Sequence, residues 1–282
     1  MQSSTCIAAL GERNVTCYFR GRLKLEDVSV YPGDFVELEE RQGSYQILRV
    51  MERKNFLVRP AVANVDQGVV VTAITEPPLD LLYLDRLLVH LELRGIDAVV
   101  CINKCDIEDP EAISRVRAIY EKAGYPVAVT SAATGEGLSA LVRGMQGKNV
   151  VLSGASGVGK SRILSSLLKT NLVVGDLSRQ RRGRHTTKGV TLYRAGESGF
   201  LADTPGFSKL DVVDCRPEEL SYFYREMADL APLCHFPRCL HKTEDHCEVK
   251  RALAEGRIGQ ERYKTYLALL EECRTKEKRK YE

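Results

Sequence analysis

Short runs of alternating apolar and polar residues occupy residues 1 to about 62, as in Val15-Thr16-Cys17-Tyr18-Phe19, Phe35-Val36-Glu37-Leu38 and Tyr45-Gln46-Ile47-Leu48-Arg49-Val50. A period of two marks a strand with one face in a core. Turn signals separate the runs at Gly11, Gly21, Pro32-Gly33-Asp34 and Gln42-Gly43-Ser44. The pattern predicts a small β-barrel of roughly five strands. The pattern then changes. Val69-Val70-Val71-Thr72-Ala73-Ile74 is a near-continuous apolar run, as a parallel strand buried on both faces requires. Asp80 precedes a helix whose Leu84, Leu87, Leu88 and Leu91 share one face. Asp97-Ala98-Val99-Val100-Cys101-Ile102 is the next strand, Asp109-Pro110 opens another helix that Gly124 closes, and Pro126 to Thr130 is a further strand. This βαβ rhythm predicts a parallel, doubly wound sheet with its ligand outside the carboxyl ends of the strands.

Composition narrows the class. A chain of 282 residues with 44% apolar side chains is long enough for two or three domains with cores of their own. A net charge of +3 is too small for a globally basic nucleic-acid binder, so such contacts must come from local patches. No apolar run approaches a membrane span and no charged-then-apolar leader is evident, which predicts a cytoplasmic protein without a membrane partner. Nine cysteines, scattered except for one C-terminal cluster, point in a reducing compartment to metal before disulfides.

The chemistry centres on Gly154-Ala155-Ser156-Gly157-Val158-Gly159-Lys160-Ser161, a phosphate-binding loop between the strand Lys148 to Leu152 and a helix that begins at Lys160. Its backbone N–H groups cradle phosphate oxygens at a helix N-terminus. Lys160 is placed for the β- and γ-phosphates, Ser161 for Mg²⁺, and Arg162 adjoins them. Asn103-Lys104-Cys105-Asp106 follows one strand and Thr130-Ser131-Ala132 the next. Asp106 can accept from the guanine N1–H and exocyclic amino group, donors that adenine lacks. Asn103 would brace the base and the loop, the stem of Lys104 lie along the ring, and Ser131-Ala132 offer an N–H to guanine O6. Downstream, a polar segment carries Arg179, Arg181, Arg182, Arg184 and Lys188 around His185-Thr186-Thr187. Either threonine could close on Mg²⁺, with Thr187 the candidate ligand. In Asp203-Thr204-Pro205-Gly206, Asp203 can hold the Mg²⁺ hydration shell and the Gly206 N–H can sense the γ-phosphate.

Ordinary small GTPases run phosphate loop, switch threonine, D-x-x-G, N-K-x-D, then S-A. Here N-K-C-D and T-S-A come first, and the phosphate loop, H-T-T and D-T-P-G follow. That is a circularly permuted order, and the chain closely resembles the ribosome small-subunit-dependent GTPase A family over nearly its whole length. The resemblance includes Arg59 to Gln67 at the barrel junction and Gly183 to Thr187 in the switch loop. It implies an OB-fold RNA-binding domain over 1–62, a permuted α/β P-loop GTPase over 63–221, and an α-rich zinc-binding domain with a C-terminal helix over 222–282. Departures are Ala155 where many relatives have glutamine, Arg162 where they have serine, and Lys188 after the switch threonines. None removes a phosphate or Mg²⁺ ligand.

Cys234, Cys239, His241 and Cys247 follow C-x4-C-x-H-x5-C. Three thiolates and an imidazole suit a closed tetrahedral zinc site, with His235 and His246 as alternatives; the resemblance selects His241. Tyr263, Tyr266, Leu267 and Leu270 mark an amphipathic helix ending in the basic run Arg274 to Lys280. Arg20, Arg22, Lys24, Arg53, Lys54 and Arg59 could share an RNA-facing side of the barrel. Phe207, after D-T-P-G, cannot orient water, so intrinsic hydrolysis should be slow and await an activator. His185 is the candidate for placing the attacking water, as the resemblance also implies. The resemblance further implies that the activator is the small ribosomal subunit, gripped through its rRNA by a monomeric protein that leaves after hydrolysis. Two rivals stand beside this reading. One is a GTP-sensing rRNA-binding protein whose hydrolysis is incidental; the other is a P-loop kinase using ATP, against which Asp106 argues.

Overall fold

The computed structural model describes residues 5–11, 13–19, 29–58, 60–169, 174–176, 190–195, 199–203 and 213–281. His185, Thr186, Thr187 and Gly206 lie outside the described residues, as do Arg20, Arg22, Lys24, Arg59 and the arginines of 178–188.

Strands β1 (Thr5–Leu10), β2 (Arg13–Phe19), β3 (Val36–Arg41) and β4 (Ser44–Val50) form one sheet in the order β1-β2-β4-β3. Cys17 and Ile47 are its fully buried centre, with Val15, Phe19, Val36 and Leu38 packed round them. The N-terminal part is therefore β-rich, as the alternation predicts. The fifth strand behaves differently. β5 (Phe56–Val58) pairs with β6 (Ala61–Ala63) in a separate hairpin, and Leu57 and Val62 enter the core of the next domain. Arg53 is turned inward: its guanidinium pairs with Asp34 at 2.6 Å and lies over the rings of Tyr31 and Phe56. Lys54 reaches Asp66 at 3.3 Å. Arg53 is thus withdrawn from the basic face that the sequence suggests, whereas Lys54 stays largely exposed.

The central sheet has the order β11-β12-β13-β10-β7-β8-β9. Its elements are β7 (Gln67–Thr72), α1 (Leu81–Glu92), β8 (Asp97–Ile102), α2 (Pro110–Lys122), β9 (Val127–Val129), α3 (Leu138–Met145), β10 (Asn149–Ser153), α4 (Lys160–Lys169), β11 (Val174–Asp176), β12 (Thr191–Ala195) and β13 (Gly199–Asp203). The run from β13 to β9 is parallel, as expected. The edge departs from that expectation: β11 and β12 are antiparallel to their neighbours. The connection from β12 to β13 is too short for a crossover helix, and a tight hairpin permits only antiparallel pairing.

Alternation along the strands sends side chains to two cores. Val70 and Val100 face α1 and α2, whereas Val69 and Val71 face α3 and α4. Asp80 caps α1 by accepting from the Tyr83 N–H at 3.0 Å, and Leu84, Leu87, Leu88 and Leu91 are buried beneath it. Asp109 likewise caps α2, with Pro110 in its first turn.

The C-terminal module is helical. A 3-10 turn over Pro217–Phe223 leads into α5 (Arg225–Ala228), α6 (Glu248–Ala254) and the long α7 (Gln260–Tyr281). A third core joins Val213, Leu220, Tyr224 and Met227 to Tyr266, Leu269, Leu270 and Cys273, and it includes Val89 of α1. Inside this junction Arg262 is only 1% exposed. Its guanidinium donates to Asp85 and, at 2.7 Å, to Glu226, and it lies 4.4 Å from the Tyr224 ring and 5.5 Å from that of Tyr125. Burial alone would make Arg262 a weaker base, but Asp85 and Glu226 carry it well above its ordinary range. Arg86 binds Glu272 and Arg225 binds Glu92 across the same seam. Among the described residues, no helix is long and apolar enough to cross a membrane.

Candidate nucleotide site and metal centre

The phosphate loop leaves β10 at Gly154 and enters α4 at Lys160. Two glycines set its path. Gly154 has a φ of 135°, and a Cβ there would fall 2.1 Å from the Val71 carbonyl oxygen. Gly159 has a φ of 100°, and a Cβ would meet Asn103 Nδ2 at 2.3 Å. No other residue type fits either position. Val158 is buried beneath the loop, while Ser156, Gly157, Ser161 and Arg162 are exposed. Lys160 Nζ donates to the carbonyls of Gly154 at 2.8 Å and Ala155 at 2.6 Å, so the ammonium lies back over its own loop.

Asn103 is the hub of the site. It lies buried just after β8, and both ends of its amide are engaged. Nδ2 donates to the Val158 carbonyl at 2.8 Å. Oδ1 accepts from Thr130 Oγ1 at 3.2 Å and from the Ala132 N–H at 3.1 Å. One neutral amide thus fastens the phosphate loop to the T-S-A turn, a role that the N-K-x-D pattern only half implies. Asp106 is exposed. Cys105 N–H donates to the Thr130 carbonyl at 3.1 Å, which closes the two loops on each other. Ser131 Oγ accepts from the N–H groups of Ala133 and Thr134, and the Ser131 N–H donates to Glu136. Both backbone N–H groups that the sequence offers to guanine O6 thus have partners inside the protein, Ser131 with the Glu136 carbonyl and Ala132 with Asn103. Asp203 ends β13, adjacent to β10. The structure brings together residues 103–106, 131–132 and 154–162; His185, Thr186, Thr187 and Gly206 are outside the described residues.

Sequence reasoning passes over Glu108. It carries no motif, yet its buried carboxylate accepts from the N–H groups of Ile74 at 2.9 Å and Thr75 at 3.0 Å, and from Thr75 Oγ1 at 2.9 Å. Burial pushes the carboxyl up, but these donors outweigh it and hold it below its ordinary value. The available signal was positional only: an acid between the N-K-C-D turn and the helix cap at Asp109.

The Cys/His cluster is local. Donor atoms of Cys234, Cys239, His241 and Cys247 all lie within 4.8 Å of one another. Cys234 Sγ is 3.9 Å from Cys247 Sγ and 3.5 Å from His241 Nδ1, which is 3.3 Å from Cys247 Sγ. Ligands about 2.3 Å from a tetrahedral zinc sit about 3.8 Å apart, so the cluster has the dimensions of such a site. His235 and His246 pack against each other, with centroids 6.1 Å apart, and are not among the four. Burial raises the Cys239 thiol to about 12 and lowers His241 to about 4. Ionised thiolates at that depth need a cation, and a neutral imidazole is the form that binds one. The surroundings support the ligands. Lys250 N–H donates to Cys247 Sγ at 3.4 Å, and Tyr263 OH donates to the His241 carbonyl at 2.6 Å. Glu244 ties down the N–H groups of Leu240, Lys242 and Thr243.

A sequence model of the RsgA GTPase family matches residues 50–213. The small ribosomal subunit biogenesis GTPase RsgA of Halalkalibacterium halodurans is 42% identical over 275 residues, covering 94% of this chain and 92% of that protein. This chain belongs to the RsgA GTPase family. It is accordingly a GTP hydrolase. The RsgA protein of Caldanaerobacter subterraneus is 41% identical, covering 95% of this chain and 91% of its own. Among solved structures, YjeQ from Thermotoga maritima superposes with a TM-score of 0.82 at 33% identity, covering 96% of this chain and 95% of that one. YloQ, described as a circularly permuted GTPase, also superposes at 0.82, with 30% identity over 98% of this chain and 93% of its own. The permuted order read from the motifs is thus the family's order, and the β-rich, α/β and Cys/His-bearing parts follow its architecture.

Proposed function

We propose that this RsgA-family GTPase acts on the small ribosomal subunit during its biogenesis, that the subunit stimulates its hydrolysis, and that hydrolysis releases it. The observation that carries this reading is the pre-tied guanine site around Asn103, joined to relatives named for small-subunit biogenesis along nearly the whole chain. Asp106 reads the guanine edge, Ala132 and Asn103 hold the loops that frame it, and residues 154–161 take the phosphates. Lys160 leaves its two carbonyl partners to meet the β- and γ-phosphates, because charged phosphate oxygens bind an ammonium more strongly than neutral carbonyls do. Ser161 and Thr187 would hold Mg²⁺, with Asp203 on its hydration shell, and the ion would neutralise charge developing on the phosphates. His185 places the attacking water, and Gly206 senses the γ-phosphate. Cys234, Cys239, His241 and Cys247 hold a structural zinc that shapes a surface for rRNA.

The test is hydrolysis of GTP against ATP, with and without purified small subunits. GTP-only turnover that rises steeply with subunits supports the proposal. His185→Ala should then abolish the stimulation while subunit binding persists. Intact GTP binding with turnover indifferent to subunits would leave an RNA-binding sensor instead.

A further inference from the structure

The loop between β7 and α1, residues 74–80, forms a wall against the phosphate loop. Pro77 Cδ is 3.6 Å from where a Cβ on Gly157 would stand. Pro77, Pro78, Ala155 and Val158 bound a cavity of only about 60 Å³ between the two loops. Such a wall needs an anchor, because its own turn leaves backbone N–H groups unpaired. Glu108 supplies it, taking the Ile74 and Thr75 N–H groups and the Thr75 hydroxyl on one carboxylate. The anchored loop in turn presents the Glu76 carbonyl to Lys104, whose Nζ donates to it at 2.5 Å. Lys104 itself sits at a φ of 69°, a conformation unfavourable for any residue with a Cβ, so its orientation depends on being held from both ends. Its backbone is held by the Ile107 N–H, which donates to the Lys104 carbonyl at 3.0 Å. Its ammonium is held by Glu76. The chain Glu108 to Thr75 to Glu76 to Lys104 therefore runs from a buried acid to the lysine of N-K-C-D.

We infer that Glu108 is a positioning residue for guanine recognition, fixing the 74–80 loop so that the stem of Lys104 lies flat where the base binds. The inference rests on the placement of the base beside Lys104 and Asp106 proposed above. Glu108 bonds the backbone and hydroxyl of the 74–80 loop, and its effect on the base passes through Lys104. Its effect belongs in nucleotide affinity and not in the rate of the bound complex.

The experiment measures GDP affinity by calorimetry, and KM and kcat for GTP, on the full chain. The variants are Glu108→Ala, Glu108→Gln, Lys104→Ala, the Glu108→Ala/Lys104→Ala double and Asp106→Ala. Glu108→Ala should weaken GDP about tenfold and raise KM in step, with kcat at saturation within about twofold. Glu108→Gln should recover most of the loss, since its amide oxygen still accepts from both N–H groups. The double variant should be no weaker than Lys104→Ala alone, because residues in one chain of contacts are non-additive. Losses that add in the double variant, or a Glu108→Ala protein with unchanged GDP affinity, overturn the inference. Should Glu108→Ala fail to fold, Thr75→Val removes only the hydroxyl contact and should cost about threefold in GDP affinity; no change there overturns it equally. Asp106→Ala separates the two levels. If it leaves GDP affinity intact, the base is not where we placed it; if it weakens GDP while the Glu108 and Thr75 variants do not, the base reading stands and Glu108 has no part in it.

Discussion

The guanine site and the Cys/His cluster solve the same problem, holding several groups at one point, by opposite means. Around Asn103 the parts come from distant stretches: Val158 is 55 residues away and Ala132 is 29. They are joined by neutral hydrogen bonds that need no ligand, so the site is assembled by the sheet before nucleotide arrives. In the cluster all four donors lie in one short stretch, but burial makes the Cys239 and Cys247 thiols reluctant to ionise and no side chain among the four supplies a positive charge. The first site is completed by the fold, and the second would be completed by an ion. Regular elements can position long-range polar groups without help, whereas the irregular segment from Cys234 to Cys247 has little secondary structure to do so.

The sharpest break in this comparison is metal removal. Chelation, or Cys239→Ser, should abolish cooperative unfolding of the C-terminal module while GDP binding stays within about threefold. Structural zinc in small fingers carries about 10–16 kcal/mol of apparent binding, much of it folding energy. Calorimetry alongside metal analysis checks this; an unchanged melting profile after the metal has left would show that the fold completes both sites.

Next in size is the seam between the regions. Arg262→Ala strands the carboxylates of Asp85 and Glu226 in a dry junction and should cost about 3–5 kcal/mol in urea unfolding. Replacing all three charges together, as Arg262→Met with Asp85→Asn and Glu226→Gln, should recover much of it. If the single change costs nothing, the two regions are not welded as described.

Asn103→Ala tests the guanine side directly. It deletes one donor and one shared acceptor, and should weaken GTP binding about 10- to 100-fold with little loss of zinc. Equal losses in both sites would mean that Asn103 is a folding residue for the whole chain.

The smallest effect is on pH. The folded Glu108 carboxyl titrates below its ordinary value of 4.5, so its contribution is fully present above that pH and is lost as the pH falls through the lower, folded value. The stability gap between the parent chain and Glu108→Gln should be constant near neutrality and narrow only in acid below pH 4.5. A gap that widens in acid would reverse the sign.

Much of this was readable in advance, for a definite reason. The phosphate loop, N-K-C-D, T-S-A and the zinc spacing are local patterns whose chemistry demands fixed residue types at fixed intervals. The parallel strands were equally visible, because both-face burial leaves apolar runs such as Val69 to Val71. What escaped was set by distance. Arg262 meets Asp85 across 177 positions, and neither flank hints at a buried guanidinium. Glu108 looks like one more surface acid until the 74–80 loop is seen to lack donors' partners. Arg53, grouped with a basic face, is folded onto Tyr31 because a single aspartate at position 34 stands opposite it. The antiparallel edge at β12 followed from the length of a connection, which hydrophobic periodicity does not report.

The tyrosines around Arg262 have an optical consequence. The chain has 12 tyrosines and no tryptophan, so its intrinsic emission comes from phenol rings alone. Tyr120, Tyr125 and Tyr224 are all buried at the seam, and Tyr266 meets Tyr224 edge-on at 5.4 Å. Parting α7 from α1 would wet these rings together. The molecule thus carries an unlabelled reporter at the joint between its P-loop sheet and its Cys/His-bearing module, readable in the same cuvette as nucleotide turnover.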